Sequence, residues 1–160
     1  MAEFNLFVLA RALHIVGVVF WIGGVAFVTT VLLSAIRVLP GKAERLQLFD
    51  SLEGRFALQA KITTLLTGLS GFAMLHYLDG WDRYAQPQFW WLHLMTLVWL
   101  LFTLVLFVFE PLFLHRWFQQ QATNDSEGTF RKIHRMHRVL LTLSVLAVVG
   151  GVAGAHGFVF

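Results

Sequence analysis

Four apolar segments of this chain each carry one histidine: His14, His76, His93 and His156. An ionisable side chain inside a bilayer is costly, so each marks a functional position by default. Neutral imidazole is a ligand for haem iron, copper and zinc. Taken singly, each histidine would serve as a hydrogen-bonded packing residue. Their common level along the four segments points instead to a shared ligand. The other three, His115, His134 and His137, sit among arginines and suit a basic interfacial collar.

The segments that must position these side chains are membrane helices by composition. The chain has 160 residues, 58% hydrophobic and only 13% charged, with a mean hydropathy of +0.70. A soluble domain carries about 25% charged residues. Runs of ~20 apolar residues cross the hydrocarbon core, and backbone satisfaction in lipid makes them helices. Spans are expected over roughly 6–38, 57–78, 89–114 and 134–158. The fold class is all-α, an integral membrane four-helix up-down bundle forming one transmembrane domain, 1–160. The first segment is too long for a signal-peptide core and lacks a basic flank, so no cleaved leader is expected. Cysteine is absent, which excludes disulfides, thiolate metal sites and covalently attached haem.

Ten of the twelve Lys and Arg residues lie in the loops joining segments one to two and three to four, or at their edges. Arg11 and Arg83 are the two on the opposite side. The positive-inside rule then places both termini and the loop 79–88 outside, and the loop 40–55 inside, as in a bacterial-type inner membrane. The net charge of +3 follows from this topology and needs no nucleic-acid partner. The partners expected are the lipid bilayer and a redox partner or quinone, and a homo-oligomer is compatible with so apolar a surface.

With a rise of 1.5 Å per residue, His76, His93 and His156 lie ~10 Å to the outer side of the bilayer centre, and His14 ~15 Å. On segment one, His14, Gly17, Trp21 and Gly24 share a stripe of about 80°. On segment three, His93, Thr96, Thr103 and Glu110 share one of about 100°. Polar stripes on lipid-embedded helices turn inward. His156 aligns with Ala153, Thr142 and Arg138. His76 lies off the Gly68 and Gly71 face, beside Asp79. Glu110, followed by Pro111, reads equally as a proton-carrying carboxyl or as the inner end of its helix. The small residues spaced by four on segment four, Gly150 and Gly154 among them, read as helix-packing positions.

The run Leu13-His14-Ile15-Val16-Gly17, followed by Trp21-Ile22-Gly23-Gly24, resembles the first helix of the copper-resistance protein D (CopD) superfamily. Trp91-Leu92-His93-Leu94 is similar to that superfamily's third helix, and 130–139, with His134 and His137, to the entry of its fourth. One branch, the HemJ-type protoporphyrinogen oxidases, consists of small four-helix proteins binding haem b. The resemblance maps their first-helix histidine onto His14. Where their third helix has a lysine two residues after its histidine, this chain has Met95. That departure weighs against protoporphyrinogen oxidation and leaves haem binding intact.

The resemblance therefore implies a membrane b-type haem protein for electron transfer or haem-dependent oxidation, with a quinone- or porphyrinogen-like partner. Whether it is an enzyme, a membrane oxidoreductase, stays open. Haem takes two axial donors, an apolar slot and partners for its propionates. His14 and His93 are the first axial pair; His76 and His156 are the second, or hold secondary roles. Arg11 and Arg83 are the propionate candidates. Phe20, Phe72, Trp90 and Phe158 are candidate slot walls. The alternative is a copper transport or tolerance protein. In that reading Met74 with His76, and Met95 with His93, supply soft donors for Cu(I). Residues two apart on a helix point about 200° apart, so neighbouring His93 and Met95 cannot share an ion on an intact helix.

Overall fold

The computed structural model describes residues 2–114, 116–117, 120–121 and 125–158. Every element among them is helical. α1 (Ala2–Phe27) runs through a π-helical segment, Val28–Leu32, into α2 (Leu33–Val38) without a break. Thr29 and Thr30 donate their hydroxyls to the carbonyls of Val25 and Ala26, at 2.6 and 2.8 Å. Such back-bonding competes with the i−4 ladder, and the Leu33 amide accordingly reaches Val28 O, one residue further back than in an α-helix. Leu39 is extended (ψ 135°), as the residue before a proline must be.

α3 (Lys42–Tyr77) follows, ending before Asp79 in the left-handed region (φ 47°). Two 3₁₀ turns, Gly80–Ala85 and Pro87–Phe89, lead into α4 (Trp90–Leu104), which continues as a π-helical run, Val105–Leu114. Pro111 inside that run has no amide to offer the preceding turn, so the α-helical ladder cannot pass through it. α5 (Ser126–Ala155) starts at an N-cap, Asp125, whose Oδ1 accepts from the Gly128 amide at 2.9 Å. Such a cap contributes about 1 kcal/mol.

Each long helix packs antiparallel on its neighbour in sequence, and α5 also touches α1. Gly17 of α1 lies on the α3 backbone: a Cβ there would stand 3.2 Å from Thr67 N and 3.3 Å from Thr63 O. Trp99 of α4 crosses Gly68 and donates Nε1–H to Thr64 O of α3 at 3.0 Å. Trp91 covers Gly154 of α5, and Met95 covers Gly151. Trp21, Val25, Val98, Phe102 and Ala147 fill the centre, with the Trp21 and Phe102 rings edge-on at 5.0 Å. His14, midway along α1 and seated on Gly71 of α3, thereby lies toward the end of the molecule that carries His76, His93 and His156. The opposite end carries the arginine-rich segments.

Polarity is inverted relative to a water-soluble bundle. α3 buries Thr63, Thr64, Thr67 and Ser70 while presenting Leu58 and Leu69 at 61% and 70% exposure. Small and hydroxyl-bearing interfaces beneath an apolar exterior suit lipid, where apolar contact alone does not drive helices together. Three stretches, Asn5–Val38, Pro87–Phe113 and Ser126–Ala155, are long and apolar enough to cross a membrane. α3 falls short of that apolarity, because its inward face is polar and its first half is charged.

The basic end differs from expectation. The stretch 40–55, expected as a loop, is helical from Lys42, and the fourth helix begins at Ser126 instead of 134. Leu46, Phe49 and Phe56 on α3, with Phe130 and Ile133 on α5, recur at helical spacing and pack on Val28, Leu33 and Ile36. Phe49 and Phe130 meet edge-on at 5.7 Å. A compact apolar cap, built from the basic-end portions of two of the long spans and the first half of α3, therefore closes that end.

Candidate functional site

His14 is held between helices. Its Nδ1 lies 2.9 Å from the Thr67 carbonyl oxygen of α3 and 3.4 Å from Ser70 Oγ. A carbonyl only accepts, so Nδ1 carries the proton and the lone pair rests on Nε2. Gly71 makes this possible: a Cβ there would stand 3.1 Å from His14 Cε1. The ring is half-buried, and Nε2 has no hydrogen-bond partner among the described residues. The predicted stripe holds, since Gly17 and Trp21 are buried and Gly24 lies against Phe56 of α3.

His93 is engaged otherwise. Its Nε2 lies 3.0 Å from Tyr84 O and its Nδ1 3.3 Å from Phe89 O, with the Tyr84 ring edge-on at 5.4 Å. Tyr84 Oη and Thr96 Oγ1 are 2.6 Å apart. Together they fasten the 3₁₀ loop to α4, and both ring nitrogens of His93 face carbonyls. No hydrogen bond or ring contact joins His93 to His14.

His156 caps α5 with Nδ1 2.8 Å from Val152 O and is exposed. His76 is exposed, its ring 6.1 Å from that of Tyr77. Arg83 sits 5.4 Å over the Phe89 ring, and Arg11 is exposed. Met74 is half-buried, and Met95 packs into the central cluster on Gly151. Of the candidate slot walls, Phe72 joins an aromatic chain, stacked on Trp81 at 6.1 Å and edge-on to Trp99 at 5.4 Å. Phe20, Trp90 and Phe158 are exposed. Among the described residues, no three His, Asp or Glu side chains converge as a metal site. The arrangement thus offers isolated imidazoles, foremost His14, in place of a cluster.

At the basic end, His137 Nδ1 lies 3.0 Å from Ile133 O; His115 is outside the described residues. Sequence reasoning missed the ion pair there. Lys61 Nζ of α3 lies 2.6 Å from Glu110 Oε2 in the π-helical run of α4. A signal existed: these are the only Lys, Arg, Asp or Glu residues between Phe56 and Tyr77 and between Trp90 and Leu114. Among the described residues, four buried side-chain atoms lack a hydrogen-bond partner: Trp21 Nε1, Thr64 Oγ1, Ser126 Oγ and Glu110 Oε2, the last of them in the ion pair with Lys61. Thr64 stands out because the neighbouring Thr63, Thr67 and Ser70 all donate to carbonyls of their own helix.

No family model, curated protein or solved structure matches this chain.

Proposed function

We propose that this chain is a multi-pass, four-helix up-down protein of a bacterial-type inner membrane, with both termini outside, that binds haem b through His14. In this reading α3 is the fourth span, its polar face covered by α1 and α4. The observation that carries the proposal is the His14 Nδ1–Thr67 O hydrogen bond. Imidazoles that ligate a metal commonly donate their other N–H to a carbonyl, which fixes tautomer and ring orientation. The donor therefore fits the group, with Nε2 available and the ring seated by Gly71.

A second imidazole for the group would come from His93, once it released the Tyr84 carbonyl; His156, whose Nε2 has no hydrogen-bond partner among the described residues, would be next. Haem bound there supplies one-electron transfer, with a quinone- or porphyrinogen-like molecule as the other redox partner. Arg83 and Arg11 are the cations available to propionates at this end. The test is a reduced-minus-oxidised spectrum of protein purified from haem-replete cells. A Soret band and resolved α and β bands, lost in His14→Ala, are expected. Bound copper without a Soret band would overturn haem in favour of the copper reading, and neither ligand would overturn both.

A further inference from the structure

A cleft of about 380 Å³ opens along α5, lined by Arg135, Arg138, Val139, Thr142 and Leu143. Positions 135, 138, 139 and 142 fall on one helical face. The two guanidinium groups stand one turn apart at its start, and the apolar wall runs on from them. Among the described residues no acidic side chain lines this cleft. The ion pair on the same helix is made by Arg131 and Glu127, at 3.4 Å, one turn earlier. Val139 is 54% exposed, and from Val139 to the last residue the chain has no Asp, Glu, Lys or Arg. The arginines therefore end the charged part of α5, and the wall beneath them begins its uncharged part.

A second cleft at this end, about 430 Å³, is lined by Ser34, Arg37, Val38, Arg45, Glu127 and Phe130. It is the weaker anion site. Glu127 contributes a carboxylate to its lining, and Arg45 donates Nε–H to the Leu39 carbonyl at 2.8 Å.

We infer that Arg135 and Arg138 bind the headgroup phosphate of an anionic phospholipid, with an acyl chain along Val139, Thr142 and Leu143. Guanidinium matches phosphate oxygens in a two-pronged fork that an ammonium lacks. Basic pockets at the cytoplasmic edge of membrane helices select anionic headgroups. A free phosphate would use the arginines and gain nothing from the wall. A zwitterionic lipid would use the wall and bring a cation towards two others. The inference rests on the membrane reading of α5.

The full-length protein, reconstituted into nanodiscs of equal phosphatidylglycerol and phosphatidylcholine, would be released and its co-purifying lipid quantified by native mass spectrometry. Retained phosphatidylglycerol at several-fold excess over phosphatidylcholine is expected. The excess should collapse in R135Q/R138Q, fall partway in R135K/R138K, and survive in R37Q/R45Q. The lysine variant keeps the charge, so it reports on the fork even if the glutamine variant folds poorly. Lipid retained at the bulk ratio, or an excess surviving in R135Q/R138Q, would overturn the site. Displacement of the lipid by millimolar inorganic phosphate would identify a phosphate site and overturn the lipid assignment. Failure to enter nanodiscs at all would overturn the membrane reading itself and the lipid site with it.

Discussion

Lys61 and Glu110 close the interface between α3 and α4 with a 2.6 Å ion pair, about a quarter of each side chain remaining exposed. In a low-dielectric setting such a pair offsets two desolvation costs at once, and removing one partner strands the other. Glu110→Leu or Lys61→Met alone should destabilise the protein by roughly 2 kcal/mol, below the fully buried limit because of the residual exposure. The double variant K61M/E110L should recover most of the loss. Thermal unfolding in detergent, arranged as a double-mutant cycle, measures this. Additive losses would mean that the pair does not couple.

Haem content should separate the histidines by position. His14→Ala is expected to abolish or sharply reduce bound haem and His93→Ala to lower it, whereas His134→Ala, at the basic end, should leave it unchanged. Pyridine haemochrome content per polypeptide gives the readout. Full retention in both His14→Ala and His93→Ala would remove the axial assignment.

Gly71 is the seat of the His14 ring. A methyl there would meet Cε1 at 3.1 Å and Nδ1 at 3.3 Å, so the ring must tilt and weaken its bond to Thr67 O. Gly71→Ala should shift the reduced Soret position or the midpoint potential while costing about 1 kcal/mol of stability. Gly17→Leu should be harsher, because α3 backbone stands behind it and cannot move aside; loss of folded protein is expected. Gly23→Ala, with open space around its Cβ, is the control that should do neither.

Topology is tested by fusions. A periplasm-dependent reporter at the C-terminus should be active, and one inserted near Gly41 should be silent. The reverse pattern would invert the orientation that the arginine distribution implies.

What could be read in the sequence was the material that interacts locally. Run length and missing charge announced three of the long helices, and the spacing of His14, Gly17, Trp21 and Gly24 announced an inward stripe. α3 was harder. Its interior is the polar side, with Thr63, Thr64, Thr67 and Ser70, so mean hydropathy understates it. Its first half is an amphipathic helix whose Leu46, Phe49 and Phe56 were masked by the charges between them. His93 could not be read from spacing, because its partner is a carbonyl set by the turn geometry of Gly80–Ala85. Lys61 and Glu110 lie 49 positions apart in sequence, and only the antiparallel pairing of α3 and α4 brings them together.

The π-helical segment of the first helix does more than relieve two threonine hydroxyls. Trp21, Val25, Thr29 and Leu33 are all buried at steps of four. In an unbroken α-helix each such step overshoots by about 40°, and three would carry Leu33 some ~120° round the axis. The wider turn at Val28–Leu32 cancels that drift. It works as a phase correction between two registers, one set by the α3 contacts of His14 and Gly17, the other by the cap around Phe130. Inserting one further residue there, beyond the one the wider turn already absorbs, would turn Leu33 and Ile36 by about 100° away from the cap and leave His14 in its seat. The histidine end and the basic end can thus be retuned independently, although one continuous helix joins them.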